Sequence, residues 1–188
     1  MKLLDKETNR FVLTMVEKNI WMKDLAINYV FFREKNDQGY EGHRKAALAF
    51  VTFINQRRGH DRIEYTDKLD FPVNITASYS INPSVMEAER ISFDAFFSTY
   101  SDLKGQYLSD YAYAFFKIPF FYKGSKKDFI ELNDYLFPRK ETLVIYQWNN
   151  TWSDYFAYGK HSGKGAYLWT IYDPTRKRFT VCGASTLN

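Results

Sequence analysis

The chain has 188 residues, with 26 Lys and Arg against 22 Asp and Glu. Its one cysteine excludes an internal disulfide and every cysteine-based zinc motif. Apolar residues at 45% and aromatics at 19% exclude disorder, and a chain this long buries roughly 70% of its unfolded surface without a metal or disulfide staple.

No run of about eighteen uncharged apolar residues exists, so no spanning helix is expected. Charge interrupts any apolar signal core in MKLLDKETNR, so a cytoplasmic protein with no membrane association is expected. The charge is unevenly spread. Gly159 to Asn188 holds five basic residues and one acid, so the rest of the chain balances at 21 against 21.

Asp5 to Lys18 is predicted helical, with Thr8 as a cap and Phe11, Val12, Met15 and Val16 on one face. Ile20 to Phe32 carries two signals. Trp21, Leu25 and Tyr29 continue a helical stripe, while Asn28 to Phe32 is rich in strand formers; a second helix is the reading adopted. Glu34 to Gly42 is a polar loop. His43 to Arg57 is a helix, with Ala47, Phe50, Val51 and Ile54 on one face and Arg57-Arg58-Gly59 as its stop.

Val73 to Ile81 alternates apolar and polar residues and is predicted to be a strand. Asn82 and Pro83 then open a helix carrying Val85, Ala88, Ile91 and Phe96 as far as Tyr100. Ser101 caps a further helix in which Leu103, Tyr107, Tyr111 and Phe115 recur every four residues and serve as packing surface. Pro119 ends it. Ser125 and Asp128 form a capping box for a short helix that buries Phe129, Leu132 and Leu136 before Pro138.

Thr142 to Trp148 and Ala166 to Tyr172 are strands apolar on both faces, which makes them central strands or aromatic platforms for a partner. Asp173-Pro174-Thr175-Arg176 has turn chemistry, and Phe179 and Val181 alternate with Arg178, Thr180 and Cys182 beyond it. The expected fold class is α+β, in one domain. Its helices pack on one face of a predominantly antiparallel sheet. The helical N-terminal part spans about 1–137 and the C-terminal strand meander about 142–184.

The segment GKHSGKG (Gly159 to Gly165) is not a phosphate cradle. Three residues instead of four separate Gly159 from Gly163-Lys164, Gly165 stands where the hydroxyl residue belongs, and a strand follows instead of a helix. A flexible loop is expected, with Lys160, His161 and Lys164 able to touch an anion. The basic residues beyond the next strand lie roughly 25 Å away at the usual rise per residue, too far for one small anion.

His43 and His60 sit at helix ends, and neither pairs with a Cys, Ser or acid at a catalytic spacing. Cys182, on a strand among small residues, is expected to be a buried, inert thiol. No cofactor or metal site is expected. The leading expectation is a non-enzymatic interaction protein of the inhibitor, immunity or regulatory type, binding a protein partner through an aromatic sheet surface. Its candidate binding residues are Trp148, Trp152, Tyr158, Lys160, His161, Lys164, Trp169, Arg176 and Arg178. The alternatives are nucleic-acid binding along the basic C-terminal edge, and a small enzyme with His161 as general base beside Asp154 or Asp173. The oligomeric state is left open.

Overall fold

The computed structural model describes residues 1–20, 27–34, 39–66, 78–99, 109–117, 124–161 and 165–185. Its centre is a six-stranded sheet in which every pairing is antiparallel. The strands are β1 (Lys2–Leu3), β2 (Ile27–Arg33), β3 (Ala88–Ile91), β4 (Val144–Trp148), β5 (Tyr167–Asp173) and β6 (Arg178–Ala184), in the order β1-β2-β6-β5-β4-β3. The α+β class and the C-terminal meander are as expected from sequence. The N-terminal part, expected to be helical, supplies three of the six strands.

Among the described residues six helices accompany the strands: α1 (Asp5–Glu17), α2 (Tyr40–Thr66), α3 (Phe93–Phe97), α4 (Asp110–Lys117), α5 (Lys126–Leu136) and α6 (Ala157–His161). They cover both sheet faces instead of one. On the first face, Phe11 and Met15 of α1, Phe96 of α3, Tyr111 and Phe115 of α4, and Phe129, Leu132 and Leu136 of α5 pack on Tyr29, Phe31, Ile145, Trp169, Ile171 and Cys182. On the second, Ala46, Ala47, Phe50 and Val51 of α2, joined by Trp152 and Phe156, pack on Val30, Trp148, Leu168, Tyr172, Phe179 and Val181. Covering both faces explains why β5 and β6 are buried at nearly every position.

The departures from the predicted elements have identifiable causes. Residues 27–33 form a strand, not a helix, because the run INYVFFR pairs with β6 over seven residues and buries alternate side chains in the two cores. Trp21 and Leu25, which carried the helical stripe, lie outside the described residues.

The helix expected from Pro83 to Tyr100 is three elements. Asn82 caps a 3-10 turn at Pro83–Val85 through Ser84 N, β3 follows, and Ser92 caps α3 by accepting from Ala95 N at 3.1 Å. Ala88 and Ile91, spaced by three, point to opposite faces of a strand and so enter opposite cores. Thr8 does not cap α1; the N-cap is Leu4, and Thr8 Oγ1 donates to the Leu4 carbonyl at 3.0 Å. Gly59 does not end α2, which runs on to Thr66; an interior glycine costs only about 1 kcal/mol relative to alanine, and no proline follows to enforce a stop.

Other local readings hold. Ser125 Oγ accepts from Asp128 N at 3.1 Å while Asp128 accepts from Ser125 N at 2.7 Å, completing the capping box of α5. In the β5–β6 hairpin, Asp173 Oδ1 accepts from Thr175 N at 2.9 Å and Arg176 N at 3.2 Å, with Lys177 at φ 50° closing the turn. The strand predicted from Val73, the first half of the Ser101 helix and Pro119 lie mostly or wholly outside the described residues.

Candidate functional site

The three candidate tryptophans are structural. Trp148, Trp152 and Trp169 are 3%, 1% and 0% exposed. Trp169 stacks on Tyr167 at 5.5 Å, meets Tyr111 edge-on at 5.5 Å, and donates its indole N–H to Gln147 Oε1 at 3.2 Å. Trp148 donates its indole N–H to Thr170 Oγ1 at 3.0 Å. With helices on both faces, these rings are core and form no platform. Two-sided apolar strands fit either arrangement, and only the placement of α2 on one face and of α3 and α4 on the other decides between them.

The basic edge is also partly committed to the fold. Arg176 Nη1 and Arg178 Nη2 both donate to the Leu136 carbonyl, at 3.0 and 3.2 Å. They place cations at the negative end of α5. The Arg178 guanidinium also lies 4.2 Å from the centre of the Phe31 ring and 3.9 Å from Glu7. Burial, followed by the nearby Arg176 charge, lowers its pKa to about 10, so it stays charged at neutral pH.

At the far end of β5, Lys160 and His161 are exposed on the last turn of α6. His161 Nδ1–H donates to the Ala157 carbonyl at 2.6 Å, so the ring closes its own helix. The carboxylates proposed to assist it are engaged elsewhere, Asp154 by Ser80 at 2.5 Å and Asp173 by the hairpin turn. Tyr158 falls within α6, and Lys164 lies outside the described residues. The glycine-rich segment thus begins as a short helix. Gly165, at φ 84°, has no room for a Cβ, which would sit 2.5 Å from Tyr167 Oη.

His43 was legible only as a helix end. In the fold it is fully buried in the first turn of α2 against β5, with Nδ1 2.8 Å from Thr170 Oγ1 and 3.1 Å from the Thr170 carbonyl. Its ring lies 4.5 Å from Tyr146 and 4.9 Å from Phe179. Desolvation is the largest influence on it and the Arg90 charge adds to it, bringing its pKa down to about 3. A base that weak is mismatched to proton abstraction at neutral pH, so His43 serves the core. Cys182 is likewise fully buried, and burial pushes its thiol well up, which makes it inert. Among the described residues no group of three His, Cys, Asp or Glu could hold a metal ion.

A second surface, which carried no sequence motif, has the geometry of a docking groove. Between the end of α1 and the outer side of α5 lies an open cavity of about 690 Å³. Ile130 and Tyr135, 45% and 38% exposed, supply apolar surface. Lys126 and Lys127 stand at one end, with Glu131, Asp134 and Lys18 along the side. The Tyr135 ring is fixed by stacking on Phe11 at 5.9 Å. Lys18 pairs with Glu131 at 2.5 Å and Asp134 with Lys140.

Lys126 and Lys127 break a local rule. They occupy the first two positions of α5, where the positive end of the helix disfavours cations by about 0.3–1 kcal/mol each, and neither forms an ion pair with the described residues. The rest of α5 obeys that rule, with Asp128 in the first turn and two arginines on the Leu136 carbonyl. Sequence did contain this signal, as two lysines directly after the Ser125 cap, with Ile130 and Tyr135 off the buried stripe.

Among the described residues no helix is long and apolar enough to cross a membrane. Comparison with protein-family models, with curated proteins and with solved structures gives no match.

Proposed function

We propose that the protein is a non-enzymatic interaction protein of the cytosol, an inhibitor or regulatory partner that engages another protein through the α1–α5 groove. The observation that carries this reading is the pair of exposed apolar side chains, Ile130 and Tyr135, beside two lysines set against the dipole of α5 that form no ion pair among the described residues. Local rules are broken where a sequence serves something other than stability, and apolar surface rimmed by charge is the anatomy of a protein interface.

The other surfaces support it by contrast. Both sheet faces are covered by helices. The sheet edges are a two-residue β1 and a four-residue β3 with Glu89 and Arg90 exposed. Short, charged edges resist strand addition by a partner. Nucleic-acid binding along the C-terminal edge takes second place, because Arg176 and Arg178 already spend donors on the Leu136 carbonyl.

Photo-crosslinking tests the reading. Benzoylphenylalanine replaces Tyr135 in one variant and Glu89, on the far edge of the sheet, in another, both expressed in the source cells. A discrete protein adduct from position 135 and none from position 89 is expected. No adduct at 135, or the same adduct from both positions, overturns the proposal.

A further inference from the structure

We infer that the groove receives an acidic amphipathic helix of the partner protein, an inference that rests on the α1–α5 groove being the interaction surface. Its length fits. From Lys126 to Tyr135 the helix rises roughly 13–14 Å, enough for about two and a half turns of a second helix with anchors at i, i+3 or i+4, and i+7. The exposed Ile130 and Tyr135 provide the apolar contacts for those anchors.

Charge decides the sign of the occupant. Glu131 is neutralised by Lys18 at 2.5 Å and Asp134 by Lys140, while Asp128 holds the backbone of its own cap at Ser125. Against the Asp128 carboxylate, which stays charged in its cap, the groove therefore presents Lys126 and Lys127, an excess of one positive charge among the described residues. An anionic partner face gains from both lysines.

Nucleic acid fits this groove less well than an acidic protein helix. One face of the Tyr135 ring is taken by Phe11, and aliphatic Ile130 stands where a further base would need an aromatic surface. A second copy of the chain fits poorly too. The exposed positions of α1 include Lys6 and Arg10 as well as Asp5 and Glu17, so they offer no acidic face.

The crosslink at position 135 is repeated in two backgrounds, Lys126→Glu with Lys127→Glu, and Lys126→Arg with Lys127→Arg, and the adducted segment is sequenced by mass spectrometry. The Glu pair is expected to cut adduct yield about tenfold, since two attractions become two repulsions. The Arg pair retains the yield, and molar salt suppresses the adduct in the parent protein. The adducted segment is expected to carry Asp and Glu flanking apolar residues at helical spacing. Yield indifferent to charge reversal, a basic or neutral adducted segment, an adduct with nucleic acid or one with a second copy of the chain each overturns the inference. An adduct that forms without charge dependence leaves the interaction reading standing; no adduct at all removes both.

Discussion

Protonation of His43 is disfavoured by the fold relative to the unfolded chain, so this one residue imposes a measurable pH dependence on stability. Its pKa drops from the ordinary 6.5 to about 3, mainly through burial. Below the unfolded value the unfolded chain takes up a proton that the folded chain refuses. Stability contributed by the neutral ring is therefore present above about pH 6.5 and is lost as pH falls from there towards about pH 3. The limiting slope is about 1.4 kcal/mol per pH unit, and the loss between about pH 8 and pH 5 comes to about 2 kcal/mol.

A domain of this size has only about 5–15 kcal/mol to lose. Urea unfolding read by tryptophan fluorescence at about pH 8, 7, 6 and 5 measures the effect through the midpoint at constant m. His43→Asn keeps a polar group near Thr170 but cannot titrate. It is less stable at every pH because the contacts with Tyr146 and Phe179 are lost, yet it sheds most of the pH dependence. Equal pH dependence in the variant and the parent protein would falsify the assignment of this effect to His43.

Lys126→Glu replaces an unfavourable cation with a favourable anion at the first position of α5 and has no charged neighbour three or four residues on. It should stabilise by about 1 kcal/mol and raise Tm by about 2–4 °C, an increment that shrinks in molar salt; a lower Tm would show that the dipole argument is mistaken. Gly183→Ala places a Cβ 2.6 Å from Tyr155 Oη and closer still to the Phe50 ring, both in the packed second core. Overpacking of this kind costs about 1–3 kcal/mol, visible by calorimetry, and an unchanged Tm would mean that the core yields there.

Tyr111→Phe breaks a buried chain in which Tyr29 donates to Tyr111 across 3.0 Å and Tyr111 donates to Asn133 Oδ1 at 2.8 Å. The unsatisfied groups left behind should cost about 1–3 kcal/mol in urea titrations. A neutral outcome would indicate that the pair repartners.

What the sequence determined by itself was mostly local. The capping box at Ser125 and Asp128 and the turn at Asp173 to Arg176 are each specified within four residues, because their hydrogen bonds join neighbours in the chain. The apolar stripe of α5 and the two-sided strands β4 and β5 were legible because burial follows the period of the element. The cost of carrying Lys126 and Lys127 at a helix start was equally present in the sequence, although it acquires meaning only beside an open groove.

Tertiary structure decided the rest. Residues 27–33 are balanced between helix and strand, and seven residues of pairing with β6 tip the choice. Whether Trp148 and Trp169 meet a partner or the core depends on helices far away in the chain, α2 beginning at Tyr40 and α4 at Asp110. Arg176 and Arg178 look like free cations until the end of α5 is brought to them some forty residues away in sequence. Propensity and spacing act within a few residues, whereas covering a sheet face or supplying an acceptor to a cation requires segments whose encounter no local pattern encodes.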